Sequence, residues 1–164
     1  TQLLFNLKPG DTLKTTGPFG RLTLKQDNPK RYIFLATSTG ITPYRAMLPE
    51  LTKRLENDPE LHVTIVQGVQ TRADLLYHDA FVTWAKTSPR ATYRAQLSRE
   101  NSSTLGEYEY PGYVQTAFLD LHPNPEEDLV YLCGNPGMVD DAFSQLKDRG
   151  FTIQQIVREK YISR

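Results

Sequence analysis

The sequence predicts an α/β fold in which a five-stranded parallel sheet carries helices on both faces. From residue 31 onward, short apolar runs alternate with longer stretches of helical periodicity, in the repeating order strand, loop, helix. Hydrophobic residues make up 38% and charged residues 23% of the 164 residues, as in a globular domain with its own core. Right-handed crossovers between parallel strands place the helices on both faces of such a sheet.

The predicted strands are short apolar runs, and they cover residues 32–37, 63–66, 91–97, 129–132 and 153–157. Three of the predicted helices cover residues 72–86, 113–121 and 136–149, and Gly150 ends the last of them. A further helix is expected to begin with Thr42 as N-cap and Pro43 in its first turn. Its inner face is predicted to contain Ala46, Leu48, Leu51 and Leu55. Residues 101–110 are polar and are predicted to form a loop.

Residues 1–30 have a different pattern, with tight turns and the alternation that is typical of antiparallel strands. The alternation covers residues 12–15 and 21–24, and the turn Gly17-Pro18-Phe19-Gly20 lies between them. Such short strands do not form a stable sheet alone. We therefore interpret residues 1–30 as the end of an upstream β-domain and residues 31–164 as the α/β domain. Because Thr1 lies within this pattern, we expect the chain to be a fragment of a longer protein.

Charge, cysteine and histidine content argue against several function classes. The 19 Lys and Arg residues balance 19 Asp and Glu residues, so the formal net charge is zero, unlike that of most nucleic-acid-binding domains. The single cysteine cannot form an internal disulfide, which favours a reducing, cytoplasmic location. No apolar stretch approaches the ~20 residues of a membrane span. The three histidines lack metal-ligand spacing, so no metal site is expected.

Ligands of parallel α/β sheets bind at the carboxyl ends of the strands, so the residues that follow each strand are the candidate site residues. Five such stretches are expected along one edge of the sheet, at residues 38–40, 68–70, 98–100, 133–136 and 159–161.

Three of these stretches contain residues with a recognisable chemistry. Thr39 and Gly40 precede a helix whose free amide groups can bind a diphosphate, although an ordinary capped turn explains them equally well and no GxGxxG or P-loop motif is present. Ser98 and Arg99 can hold a phosphate through bidentate hydrogen bonds, although a solvated charge pair is the commoner arrangement at a strand end. Cys133 is expected to be a small buried hydrophobe or the neighbour of a flat ring, not a nucleophile.

Several motifs follow one another in a specific order. They are Gly17-Pro18-Phe19-Gly20, Thr39-Gly40-Ile41-Thr42-Pro43, Arg72 with Asp74-Leu75-Leu76-Tyr77, Ser98-Arg99-Glu100, Gly112-Tyr113-Val114, Cys133-Gly134-Asn135-Pro136 and Glu159-Lys160-Tyr161. The ordered set resembles the carboxyl-terminal part of the ferredoxin–NADP reductase-like flavoproteins, in particular the bacterial ferredoxin/flavodoxin reductases. This resemblance covers nearly the whole chain. It implies a Rossmann-like NADP-binding domain over residues 31–164, preceded in residues 1–30 by a remnant of an antiparallel β-barrel that binds FAD.

The resemblance also implies which residues bind the dinucleotide. Thr39 and Gly40 would hold the diphosphate of NADP(H), and Ser98 with Arg99 would hold its 2′-phosphate. Arg72 is a second candidate for a positive charge near the dinucleotide.

The remaining motifs would surround the reacting rings. The nicotinamide pocket would be shaped by Gly134, Asn135 and Pro136. Cys133 would lie beside the nicotinamide, and Glu159 and Tyr161 would lie near the flavin. Hydride would pass between nicotinamide C4 and flavin N5, and electrons would continue singly to a ferredoxin or flavodoxin partner, with the cofactors supplying the redox chemistry.

The chain departs from the family pattern in two ways. Ser38 stands where many members have glycine, and the Arg-x-Tyr-Ser/Thr segment that binds flavin is absent from the sequence and expected upstream of Thr1. We therefore expect the chain to bind NADP(H), to hold FAD poorly and to be inactive alone.

Three alternatives to this function are kept open. One is an NADH-dependent oxygenase reductase of the same superfamily, in which Arg99 would have no 2′-phosphate to bind. Another is an electron-transfer or regulatory subunit that binds a nucleotide without turnover. The third is an α/β module for a different phosphorylated ligand.

Overall fold

Within residues 2–17, 20 and 22–161, which the computed structural model describes, the chain forms one parallel sheet of six strands. The strands are β1 (Arg31–Thr37), β2 (His62–Val69), β3 (Ala91–Leu97), β4 (Glu109–Pro111), β5 (Asp128–Gly134) and β6 (Ile156–Lys160). Their spatial order is β4-β3-β2-β1-β5-β6, and every neighbouring pair is parallel. The predicted parallel α/β fold is confirmed, but the predicted number of five strands is wrong.

The additional strand, β4, lies where the sequence predicts a polar loop. Its three residues continue the sheet beside β3, with Glu109 opposite Ala95 and Pro111 opposite Leu97. Three residues are too few to show the alternation of apolar and polar residues that predicts a strand. The proline is tolerated because β4 is at the edge of the sheet.

Helices cover both faces of the sheet, as predicted. The helices are α1 (Gln2–Phe5), α2 (Thr42–Asn57), α3 (His78–Ala85), α4 (Val114–Asp120) and α5 (Pro136–Asp148). Side chains alternate along β1, so that Phe34 packs with α2 and α3 on one face, whereas Leu35 packs with α4 and α5 on the other. None of the helices in the described part of the chain is long and apolar enough to cross a membrane.

The start of α2 differs from its prediction. Thr42 is the first helical residue and not the N-cap, because a 3-10 turn over Ser38–Ile41 already leads the chain into the helix. The helix buries Tyr44, Met47, Leu51 and Leu55, so the predicted inner face is confirmed at Leu51 and Leu55. Leu48 is half-buried and packs against the same core, whereas the prediction is wrong at Ala46, which is exposed.

Two other elements begin later than predicted because a short turn precedes each of them. Residues 72–86 form a 3-10 turn over Arg72–Asp74 and then the separate helix α3, which is preceded by Tyr77 in the left-handed conformation with φ of 58°. Residues 153–155 form another 3-10 turn, and β6 starts only at Ile156.

Apart from α1, the described part of residues 2–30 contains neither helix nor strand. The strand predicted over residues 12–15 is therefore wrong, as is the described part of the strand predicted over 21–24, since a single strand has no partner for its hydrogen bonds. Leu22 and Leu24 instead pack against the α/β core, and the Lys25 amide donates to the Tyr131 hydroxyl at 2.9 Å. Pro18, Phe19 and Arg21 lie outside the described residues, and with them the two central residues of the predicted turn over residues 17–20. The assignment of residues 1–30 to a barrel domain remains a prediction.

Candidate functional site

A cleft opens at the point where the order of the strands reverses. From β1 the chain moves outward through β2, β3 and β4, and it then returns to the other side of β1 with β5. The cleft has a volume of about 1040 Å³ and lies at the carboxyl ends of the strands. All five stretches that follow the predicted strands contribute to its wall, among them Thr39, Gly68, Ser98, Gly134 and Tyr161. Open α/β sheets bind their ligands at this position.

In the middle of the cleft, the ends of β1 and β5 are in direct backbone contact. The Asn135 amide donates to Thr37 Oγ1 at 2.8 Å. Gly134 has a φ of +129°, and a Cβ at this residue would clash with Thr37 Oγ1 and lie 2.6 Å from the Thr37 carbonyl oxygen. A Cβ at Gly40 would clash with the Cys133 carbonyl and lie 2.9 Å from the Cα of Gly134. Both glycines are therefore required for the protein to pack against itself. For Gly40, this differs from the expected reason, which was the approach of a diphosphate.

The turn between β1 and α2 presents exposed hydroxyl groups to the cleft. Ser38 and Thr39 are exposed and line it, and their turn leads directly into α2. Ser38 has a φ of 50°, in the left-handed region that favours glycine. The departure from the family pattern at Ser38 therefore falls on a residue whose backbone conformation suits glycine better than serine.

The first turn of α5 forms the facing wall. Asn135 lines the cleft, and its side-chain oxygen accepts hydrogen bonds from the amides of Gly137 at 2.8 Å and Met138 at 3.3 Å. Pro136 is the first residue of α5, where its missing amide hydrogen costs nothing. These residues thus give the wall a fixed backbone shape.

The side chains of Cys133 and Tyr161 meet at the β6 side of the cleft. Cys133 is fully buried beside Glu159 of β6, and its thiol lies close to the Tyr161 side chain. The Tyr161 amide also donates to the Gly134 carbonyl at 2.8 Å. Burial raises the pKa of the Cys133 thiol to about 11 and also raises the pKa of the Tyr161 hydroxyl. Both groups are therefore neutral at physiological pH, and Cys133 is not a thiolate nucleophile.

The far side of the cleft, beyond β3, has exposed charged and aromatic side chains. The amides of Ser98 and Arg99 donate to the carbonyls of Val69 at 3.1 Å and Gln70 at 2.8 Å, which fixes both residues at the end of β3. Arg99 is exposed, and its guanidinium forms no ion pair within 4 Å among the described residues. Tyr113 lines the cleft with 67% of its surface exposed. In the sequence, Tyr113 is only part of a motif, and nothing local shows that its ring lies on the cleft.

Arg72 is a predicted site residue, but its guanidinium binds a carboxylate of β4 and does not line the cleft. Its Nε donates to Glu109 Oε1 at 2.7 Å, its Nη2 bonds the other oxygen of the same carboxylate, and Nη2 also donates to the Thr104 carbonyl at 2.6 Å. The Arg72 hydrogen bonds are the main reason that the pKa of Glu109 falls to about 2. Arg72 therefore neutralises a buried carboxylate of β4 and is not part of the cleft wall.

The other predicted residues lie on the cleft or next to it. Those that line it are Thr39, Ser98, Gly134, Asn135 and Tyr161. Each of the rest is the sequence neighbour of a lining residue, and they are Gly40, Arg99, Cys133, Pro136 and Glu159.

The reversed strand order, the cleft at the reversal and the two strand-to-helix turns beside it define a nucleotide-binding α/β domain. A model of the oxidoreductase NAD-binding domain family matches residues 34–143. The chain belongs to this family, the NAD(P)-binding domain of the ferredoxin–NADP reductase-like flavoprotein oxidoreductases. The resemblance drawn from the ordered motifs is thus confirmed.

Known relatives include reductases of more than one kind. The chain is 33% identical over 148 residues to ferredoxin–NADP reductase B of Sorangium cellulosum, and this match covers 85% of this chain and 57% of the relative. It is 30% identical over 149 residues to reductase component 1 of terephthalate 1,2-dioxygenase from a Comamonas species, and this match covers 90% of this chain and 43% of the relative. The crystal structure of the Amycolatopsis cytochrome P450 reductase GcoB matches with a TM-score of 0.79 and 27% identity, over 96% of this chain and 46% of that one. The chain thus spans about half the length of these proteins.

Proposed function

We propose that this chain binds NADP(H) in the cleft and serves hydride transfer between NADPH and an FAD group, with electrons passed on to ferredoxin or flavodoxin. The observation that supports NADP(H) is Arg99, an exposed guanidinium without an ion-pair partner among the described residues, directly after Ser98 at the cleft. A guanidinium matches a phosphate with two parallel hydrogen bonds, and a ribose without phosphate gives it no such partner.

The residues of the cleft fit an extended dinucleotide. The adenosine end would lie beyond β3, where Tyr113 offers an exposed ring for the base and Arg99 a charge for the 2′-phosphate. The diphosphate would lie at the turn of Ser38 and Thr39, which offers hydroxyl and amide donors at the start of α2. The nicotinamide end would then lie near Gly134 and Tyr161.

The residues at the nicotinamide end would position the ring and exclude water. Gly134 packs so closely against Thr37 that the backbone at this end of the cleft is held in a fixed position. The neutral Cys133 thiol and Tyr161 hydroxyl place no charge beside the ring. A bound flavin would supply the conversion between two-electron and one-electron transfer. In our proposal it is held mainly by residues other than these 164, so we expect this chain alone to bind NADP(H) without completing the reaction.

Calorimetric titration of the 164-residue chain with NADP⁺ and with NAD⁺ tests the proposal. We expect tighter binding of NADP⁺, since hydrogen bonds to a charged group contribute about 1.5–3 kcal/mol. Arg99→Ala should therefore weaken NADP⁺ binding roughly ten- to 150-fold and leave NAD⁺ binding unchanged. Arg158→Ala is the control, because Arg158 is exposed and lies over Phe143 of α5 instead of lining the cleft.

An NADH-dependent oxygenase reductase is the second candidate, and the relative in the terephthalate dioxygenase system favours it. In that case, the chain should bind NAD⁺ at least as well as NADP⁺, and Arg99→Ala should change neither affinity. Binding of neither dinucleotide would contradict both candidates.

A further inference from the structure

A carboxylate lies on the same side of the cleft as Ser98 and Arg99. Asp74 lines the cleft together with Ser98. Its Oδ2 accepts hydrogen bonds from the Thr71 amide at 2.9 Å and the Thr71 hydroxyl at 2.8 Å. These bonds and, to a lesser degree, the nearby charge of Arg99 hold the pKa of Asp74 below its usual value, so it is ionised at neutral pH. Its other oxygen, Oδ1, accepts no hydrogen bond from the described residues.

The charges around this carboxylate do not favour a second anion. Arg72 is neutralised by Glu109, and its amide donates to the Glu100 carboxylate at 2.8 Å. The exposed cation Arg99 therefore lies near one carboxylate, that of Asp74, with Glu100 as its next residue in the sequence. A 2′-phosphate that approaches Arg99 carries close to two negative charges of its own, so Asp74 repels it.

The turn that Asp74 closes does not need this negative charge. The chain contains a second 3-10 turn of the same construction, in which Gln155 takes the place of Asp74 and Thr152 that of Thr71. Gln155 Oε1 accepts from the Thr152 amide at 2.9 Å and the Thr152 hydroxyl at 2.8 Å, the same two hydrogen bonds at the same lengths. A neutral amide thus closes such a turn equally well, and the negative charge at Asp74 requires another explanation.

We propose that Asp74 is a specificity-determining residue that opposes Arg99: its carboxylate weakens binding of a 2′-phosphate and leaves a nucleotide with a free 2′-hydroxyl unaffected or favoured. The inference rests on the proposed function, because it assumes that the adenosine end of the dinucleotide lies beside Arg99. A carboxylate accepts a hydrogen bond from a ribose 2′-hydroxyl and repels a phosphate at the same position. The preference for NADP(H) over NAD(H) is then smaller than Arg99 alone would produce.

Calorimetric titration with 2′,5′-ADP and with AMP isolates the 2′-phosphate, because these two nucleotides differ only in that group. For Asp74→Asn, we expect 2′,5′-ADP to bind roughly five- to tenfold more tightly, with AMP binding unchanged or slightly weaker. Asp79→Asn is the matched control, since it removes the same charge from an exposed residue of α3 that does not line the cleft. It should change neither affinity by more than about twofold.

Unfolding in urea shows whether the turn survives, and its midpoint should not change in Asp74→Asn. If it falls, Asp74→Gln replaces it, since the glutamine of the second turn shows that this side chain closes such a turn. A ratio of the two affinities that stays at the wild-type value, or an equal gain for both nucleotides, overturns the role of Asp74. A wild-type chain that binds neither nucleotide overturns the proposed function itself, and the inference with it.

Discussion

The two ends of the cleft are built on different physical principles. At the inner end, formed by Thr37, Gly40, Cys133, Gly134 and Tyr161, backbone packs on backbone and the titratable side chains are neutral. At the outer end, formed by Asp74, Ser98, Arg99 and Tyr113, the side chains are mostly exposed and their charges oppose one another. Changes at the inner end should therefore affect stability, whereas changes at the outer end should affect which nucleotide binds and how tightly.

The position of each end in the sheet explains this difference. The inner end lies between β1 and β5, which are central strands with helices on both faces. The outer end lies beyond β3, where the sheet finishes in the three-residue strand β4. A buried position tolerates little change of shape, whereas a rim can exchange side chains without repacking the core.

The largest effect is expected for Gly134→Ala at the inner end. The added Cβ would clash with Thr37 in a backbone conformation that favours glycine, so the free energy of unfolding should fall by about 3 kcal/mol. Urea unfolding followed by circular dichroism measures this. Gly150→Ala is the control, because Gly150 also has a positive φ, of +89°, but has open space around it. We expect it to lose about 1 kcal/mol. Equal losses in the two variants would show that the inner end is not closely packed.

An intermediate effect is expected for Tyr113→Ala at the outer end. Loss of the stacking ring should weaken NADP⁺ and NAD⁺ equally, by roughly tenfold, because both contain adenine and a stacked base contributes about 1–3 kcal/mol. The urea midpoint should not move, since 67% of the Tyr113 surface is exposed. Tyr113→Phe should keep most of the affinity. Tyr110→Ala is the control, because the Tyr110 ring lies under Arg94 and does not line the cleft. Unchanged affinities in Tyr113→Ala would remove the ring from the binding site.

The smallest effect is expected for the ion pair between Arg72 and Glu109, which links β4 to the 3-10 turn at residues 72–74. Because the pKa of Glu109 falls from its ordinary value of 4.5 to about 2 on folding, its contribution to stability is present above about pH 5 and is lost as the pH falls towards 2. Arg72 is 48% exposed, so solvent weakens the pair and the effect should be modest. The free energy of unfolding of Glu109→Gln should depend less on pH in this range than that of the wild type. Glu107→Gln, at an exposed neighbouring carboxylate, should keep the wild-type dependence.

Most of the fold could be predicted because its signals are local. Apolar runs such as that of β1 and the Asn135-Pro136 start of α5 are read within a few residues. The edge at which the strand-ending stretches meet follows from the general geometry of parallel sheets. The short strand β4 could not be predicted in this way, because its pairing partner Ala95 lies far from Glu109 in the sequence.

The sequence by itself determined the α/β class, the family and the stretches that border the cleft, because periodicity, turn residues and the order of motifs are properties of neighbouring residues. Only the tertiary structure decided which charges remain available at the cleft. Arg72 and Arg99 are both arginines predicted to lie near the dinucleotide, but Glu109, 37 residues away from Arg72, neutralises the first and leaves the second exposed. Likewise, the role of Gly40 depends on the carbonyl of Cys133 in a different strand. Charge neutralisation and close packing both depend on which distant residues meet in space, and a local pattern in the sequence does not contain that information.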